Sequence, residues 1–498
     1  MKNKYSLEYQ ELYTNLNDSE KDLLDAFFAD FNLRFLLNKI DKRNLILDFE
    51  NAIVYYYKNN YSIEQILEIL DLSRIGGFYA RDTELWFPLD DGAKIFPLAM
   101  RHGMMSVFRL SAYLDSEIIP ELLQIALNFT IKRFPSFATT LKKGFFWHYL
   151  DISKRRYYIE EENYIPTQAI KVSGSRSQSF RVLYYKNKIS VEFFHVLTDG
   201  NGGMVFLKAL VIEYMRLLGV KVNDLDPSLD TSKAPMIEEY SNEFSNIKTD
   251  DSPSGFSDKR AIQLNGKLSK NNPCRILHFK IPTDKLKEIS KKRKCTITAY
   301  LLTLMMLSFY ASTDCIKGEF SVQVPVNMRK FYSSKTVRNF ALYSGIRSDI
   351  KKVKKTDEFF EEISSQLKEK TSYESMSRML SSTRRLVRLL KFIPLIIKKP
   401  FTRILYNFFS DDIFTSVFSN LGEVKFPLEI SSHIESMDFA LGTSFYNRAS
   451  CSAVSINNVT TFTITKHTLD PSFEEEMYRL LLEDGLSVAV EGSVIYEN

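Results

Sequence analysis

Apolar residues recur at helical spacing through the first eighty positions. Leu23, Leu24, Phe27, Phe28 and Phe31 follow the cap candidates Asn17 and Asp18. A later helix opens with Ser62, places Gln65 at the capping-box position, and runs through Ile66, Leu67, Ile69 and Leu70 to a break at Gly76-Gly77. The pattern changes near Trp86, where WFPLDDGAKIFPLAM reads as an extended lead-in to a new domain. A strand over Ser106–Ala112 and an amphipathic helix from about Ser116 to Arg133, stopping before Pro135, come next. Phe180 to Phe194 reads as a hairpin turning at Lys186-Asn187-Lys188, and its second strand, ISVEFF, leads directly into HVLTDGNGG. A helix from about Met204 to Leu218 follows, with Gly219 as its C-terminal cap.

Residues 221–272 lose this periodicity and are rich in Asp, Ser, Asn, Lys and Pro, as expected of a linker. The strand RILHFKI, a helix from about Thr283 to Lys291, an apolar helix over Ile297–Ala311 and the strand FSVQVPVN come next. The apolar helix is short for a membrane span and carries Thr and Tyr, so it is expected to be buried. A basic helical segment spans about 373–408. Strands near Ala449–Ser455 and Thr460–Ile464 and a helix from Ser472 to Glu483 close the chain. Strands and helices mix throughout, which predicts an α/β (α+β) protein of two lobes. The predicted divisions are 1–81, a helical extension; 82–220, a first lobe; 221–272, a linker; and 273–498, a second lobe.

Composition narrows the class. The 498 residues are 44% hydrophobic and 26% charged, which excludes disorder. A net charge of +5 is small for this length and speaks against a dedicated nucleic-acid binder. Cys274, Cys295, Cys315 and Cys451 are far apart and lack CxxC spacing, so neither a disulfide framework nor a zinc site is expected. A reducing, cytoplasmic setting is the natural expectation, and the polar start MKNKYSLEYQELY has no apolar signal core. His102, His148, His278, His433 and His467 have no metal-like spacing, and no phosphate-binding glycine pattern appears; no metal and no bound cofactor are expected.

Candidate chemistry concentrates at His195-Val-Leu-Thr-Asp199-Gly200. An imidazole fixed at a strand end takes a proton from an alcohol or amine near neutral pH. Asp199 can brace the loop or hold a cation from elsewhere, and Gly200, Gly202 and Gly203 permit a sharp turn. A lone His beside an apolar strand is more often a core or surface residue, and spacing alone does not decide between the two.

HVLTDGNGG after a hydrophobic strand resembles the HxxxDG motif of the chloramphenicol-acetyltransferase and condensation-domain superfamily. WFPLDDGAKIFP with the following strand, helix and RFP resembles the first-lobe opening of alcohol acetyltransferase-like members. VPVNMRK at 324–330 with RNF at 338–340, and FSNLGEVKFP at 418–427, resemble second-lobe segments. The matches run in order from about residue 82. The condensation-domain signature DFGWG is replaced by Asp438-Phe439-Ala440-Leu441-Gly442, which argues against a peptide-bond-forming condensation domain.

The resemblance implies two lobes forming a V with a central tunnel and His195 inside it. His195 would be the general base moving an acyl group, of acetyl type, from acyl-CoA to an alcohol. Asp199 would be structural, paired with Arg329 of the second lobe, and Ser419 and Asn420 are oxyanion candidates. Acyl-CoA is the implied co-substrate and a small or lipid-like alcohol the acceptor. A carrier-protein donor, as in polyketide or nonribosomal peptide metabolism, and a non-catalytic binding or regulatory protein on this fold are the alternatives. This architecture can place a whole site in one chain, so a monomer is plausible.

Arg378 to Arg403 carries eight Lys or Arg and no acid, interleaved with Leu, Ile, Val and Phe. Such a segment can lie on an anionic membrane or meet CoA phosphates. Pro394 and Pro400 break a long interfacial helix, so a packed helical pair with a solvated basic face is the plainer expectation. Tyr61 to Arg81 has faint helix-turn-helix spacing, weakened by Gly76-Gly77, and a helical cap on the first lobe is favoured over DNA binding.

Overall fold

The computed structural model describes residues 4–34, 37–75, 86–100, 105–153, 155–172, 177–247, 259–398, 413–442 and 448–496. Strands β1 (Trp86–Pro88), β2 (Val107–Leu114), β3 (Thr139–Lys143), β4 (His148–Ile152), β5 (Ile159–Glu161), β6 (Phe180–Tyr185) and β7 (Lys188–Phe194) come from the first half. The second half supplies β8 (Arg275–Pro282), β9 (Glu319–Asn327), β10 (Ala341–Asp349), β11 (Ser416–Glu423), β12 (Ile434–Leu441), β13 (Ala449–Ile456), β14 (Val459–Lys466) and β15 (Ala489–Gly492). They form a three-stranded sheet, β1-β4-β3, a five-stranded sheet, β12-β2-β7-β6-β5, and a seven-stranded sheet, β10-β9-β11-β13-β14-β8-β15. β12 thus leaves the half of the chain that encodes it and pairs antiparallel with β2, placing Asp438 opposite Ser111 and Ala440 opposite Arg109.

One core joins the outer face of the five-stranded sheet to helices Pro120–Thr130 and Gly200–Leu217 and to the N-terminal helices. Phe49 meets Phe129 edge-on at 6.3 Å, and the Tyr56 hydroxyl donates to the Leu217 carbonyl at 2.7 Å. The N-terminal helices Asp18–Arg34, Lys39–Lys58 and Ile63–Ile69 are therefore built into this core rather than standing apart. Asn17 caps the first of these, accepting from the Glu20 N–H at 2.9 Å, and Ser62 with Gln65 forms the predicted capping box. Gly76-Gly77 and the rest of the helix-turn-helix candidate to Arg81 lie outside the described residues, as does His102.

The second core lies between the seven-stranded sheet and helices Ile297–Ala311, Asp357–Lys370 and Ser472–Glu483. Ala299 to Phe309 is buried without interruption, as its all-round apolar pattern requires. Among the described residues no single helix is long and apolar enough to cross a membrane.

Two expected boundaries move. The helix expected from Ser116 starts at Pro120, because a proline disfavours helical backbone before it and suits the first helical turn. The helix expected from Met204 starts at Gly200, because Asp199 caps it four residues earlier. In the hairpin the left-handed turn residue is Lys186, with φ of 49°, while the Asn187 side-chain amide donates to the Leu114 carbonyl at 2.7 Å.

Candidate active site

His195 stands between β7 and helix Gly200–Leu217. Its backbone N–H donates to the Ser106 carbonyl at 2.8 Å, extending the β2–β7 pairing to the base of the loop. The ring stacks on Phe96 at 4.4 Å and meets the edge of Phe108 at 5.3 Å. Nδ1 lies 3.0 Å from Asn339 Oδ1. The Asn339 amide nitrogen donates to the Val196 carbonyl at 3.2 Å, which fixes its orientation, since a flipped amide would set two oxygens together. Asn339 Oδ1 can only accept, so the His195 proton sits on Nδ1 and Nε2 keeps the basic lone pair. Burial holds the imidazole below its usual value, against the opposing pull of its own backbone carbonyl, the Asp199 charge and Asn339. At neutral pH the ring is therefore an unprotonated base.

Asp199 does two jobs. One carboxylate oxygen accepts from the Gly202 N–H at 2.9 Å and caps the helix. The other accepts from Arg329 at 2.9 Å and from the Phe340 N–H at 2.8 Å. Arg329 also donates to the carbonyls of Thr336 at 2.8 Å and Arg338 at 2.6 Å. One buried carboxylate thus ties the His loop to the 329–340 segment of the other half of the chain. Val196, Thr198 and Gly202 press on that segment: the Thr198 hydroxyl donates to the Val337 carbonyl at 2.5 Å. A Cβ at Gly202 would lie 2.0 Å from the same carbonyl oxygen. The Gly202→Ala variant is expected to lose at least about 1–3 kcal/mol through overpacking against rigid backbone, read as a fall in unfolding midpoint.

The same segment is braced from behind. Arg338, 2% exposed, lies 3.2 Å from Asp90 and donates to the Pro88 carbonyl. Burial pushes the Asp90 carboxyl up to about 6; Arg338 opposes this and the Asp199 charge adds to it. Val337 N–H donates to the Glu239 carbonyl at 2.7 Å, and Glu239 is held by Arg133. Gly200, the third motif residue, opens the helix beneath Leu421 of β11, whose methyl lies 3.0 Å from where a Gly200 Cβ would stand.

The two oxyanion candidates face opposite ways. Ser419 pairs with Ser452, which pairs with Thr463, which pairs with His278, and residues opposite one another in a ladder share a face. That face meets the five-stranded sheet: the Ser452 hydroxyl donates to the Phe439 carbonyl of β12, and His278 lies 3.8 Å from Asp438. Asn420 points to the opposite face, where its amide donates to Thr298 at 3.0 Å and accepts from the Gly422 N–H at 2.8 Å. Asp438 to Leu441 lie on β12 beside the site and Gly442 follows its end, with Phe439 edge-on to Phe108 at 6.2 Å.

Asn339 is the residue whose role sequence reasoning missed. It lies inside the RNF stretch that marked the resemblance, but only the fold sets its amide against His195. Among the described residues no cluster of metal-ligating side chains occurs. Two small cavities, each of about 10 Å³, lie beside Arg133 and Glu239 and beside Lys466 and Asp470; neither is lined by His195.

The fold is similar to that of solved acetyltransferases and of a polyketide synthase associated protein. No family model and no curated protein matches the sequence. Among solved structures, polyketide synthase associated protein 5 from Mycobacterium tuberculosis matches with a TM-score of 0.54 at 12% identity, covering 80% of this chain and 97% of that one. Trichothecene 15-O-acetyltransferase from Fusarium sporotrichioides matches with 0.52 at 12%, covering 80% and 94%. F. sporotrichioides TRI101, solved with coenzyme A and T-2, matches with 0.52 at 11%, covering 79% and 97%. Identities this low carry the fold alone.

Proposed function

We propose that the chain is an acyltransferase that moves an acyl group, of acetyl type, from an acyl-CoA thioester to an alcohol hydroxyl. The observation that carries this reading is the hydrogen bonding of His195: Asn339 Oδ1 accepts from the protonated Nδ1, and Nε2 is left basic. In the proposed reaction Nε2 removes the acceptor O–H proton as the oxygen attacks the thioester carbonyl. A tetrahedral oxyanion forms, collapses, and expels the CoA thiolate, which receives the proton back from His195. No covalent acyl-enzyme is required. Ser419, on the face turned toward the five-stranded sheet, is the better-placed oxyanion donor, and Asn420 holds the turn after it. Asp199 and Arg329 position the loop and do not touch the reacting atoms. Acyl-CoA is a co-substrate, and the acceptor is a small or lipid-like alcohol. The matches to a named O-acetyltransferase and to a protein solved with coenzyme A support this choice. The match to a polyketide synthase associated protein favours a second reading, a carrier-bound donor used by the same base.

The test is thiol release from acetyl-CoA, and separately from an acetylated carrier protein, with a panel of alcohols and amines. Acceptor-dependent release from acetyl-CoA supports the first reading, release only from the carrier supports the second, and release from neither leaves a non-catalytic binding role on this fold. The pH profile is a further check. A depressed imidazole value puts the acid limb of kcat/KM below the ordinary value of about 6.5, because only the neutral ring accepts a proton. Asn339→Ala is expected to lower kcat about fivefold, the worth of one neutral hydrogen bond, and to move that limb. A variant that changes neither would remove Asn339 from its positioning role.

A further inference from the structure

Two segments distant in sequence build one exposed apolar face. The β3–β4 turn presents Phe145, 72% exposed, beside the half-exposed Phe146. The stretch after helix Tyr373–Leu389 presents Phe392, 76% exposed, and Ile396, 83% exposed. These are locked together: the Leu395 N–H donates to the Phe145 carbonyl at 2.8 Å, and Lys398 donates to the Phe146 carbonyl at 2.7 Å and lies 3.3 Å over the Trp147 ring. Such large side chains are held outward by a built contact, not left on a stray loop. The charge that these two segments themselves carry has one sign. Lys142, Lys143, Arg385, Arg388 and Lys391 are exposed at its rim, and positions 375–398 and 139–148 contain no Asp or Glu.

We propose that this face docks on an anionic lipid bilayer, with Phe145, Phe392 and Ile396 entering the interface and the basic rim meeting lipid headgroups. Outward aromatic and aliphatic tips on two segments whose only charges are basic match a surface that is apolar beneath and anionic on top. A protein partner's apolar patch would satisfy only the first half of that pattern. The face also adjoins the candidate site: Lys94 lies 5.4 Å over Trp147, and two residues on, Phe96 stacks on His195. On the acyl-transfer reading, an acceptor dissolved in the bilayer would reach His195 along this edge. Docking itself does not depend on that reading.

The experiment is co-sedimentation of the full chain with phosphatidylcholine vesicles and with vesicles containing roughly a third phosphatidylserine. Binding to the anionic vesicles only, weakening as salt rises, is expected. Phe392→Ser and Ile396→Ser, both at exposed positions, are each expected to weaken it about tenfold or more. His195→Ala is expected to bind as wild type, which separates this proposal from the catalytic one. Absence of binding, equal binding to both vesicle types, or wild-type binding by a Phe392→Ser, Ile396→Ser double variant overturns it. A self-association that Phe392→Ser abolishes, without vesicle binding, would assign the face to a second copy of the chain and equally overturn it.

Discussion

His195→Ala is expected to lower acceptor-dependent thiol release by about 10²–10⁴-fold, the usual worth of a positioned general base. The loss should fall on kcat, since the proton moves in the transition state and not on binding. The unfolding midpoint should change little, because Asn339 keeps its bond to the Val196 carbonyl when the imidazole is removed. Residual activity should lose the acid limb attributed to the imidazole. Equal rates in wild type and variant would remove His195 as the base while leaving the fold assignment untouched. His195→Gln is the useful companion, since it keeps an amide-sized polar group against Asn339 but cannot accept a proton at working pH.

The second large effect is on stability. Arg329→Ala is expected to cost about 3–5 kcal/mol, because the Asp199 carboxylate, with a side chain 3% exposed, would be left without its ion partner. Asp199→Ala should cost a comparable amount and additionally lose the helix cap at Gly202. The double variant Asp199→Asn, Arg329→Met should recover part of the loss, since it removes both charges and keeps a capping amide. Urea unfolding of the four proteins reads this directly. Near-additive costs in the Asp199→Ala, Arg329→Ala double variant would show that the pair contributes no coupling. Activity is expected to fall with stability here, because the same carboxylate aligns the loop that carries His195.

Much of this site is legible in the sequence. His195, Asp199 and Gly200 lie in order on one strand-loop-helix passage that the periodicity marks, although the helix begins at Gly200, four residues before the expected Met204. Arg329 follows from the resemblance of VPVNMRK, and the fold sets it 2.9 Å from Asp199. Asn339 is less legible, because its function depends on an approach across 144 positions that no local pattern encodes. The division of Ser419 from Asn420 could have been read from the period of two, since adjacent strand residues face opposite ways. The placement of β12 was not readable. Its alternation is that of an ordinary strand, and pairing partners are set by tertiary packing rather than by the strand's own residues.

That placement has a consequence for synthesis. As the chain leaves the ribosome, β2, β7 and β6 can pair early, but the free side of β2 has no partner until residues 434–441 emerge, more than three hundred positions later. For that interval the nascent chain exposes an unmated strand edge of the kind that seeds aggregation. A truncation ending before β12 would therefore leave the product with that lasting defect, and two fragments cut in the 221–272 stretch would regain solubility only by finding one another.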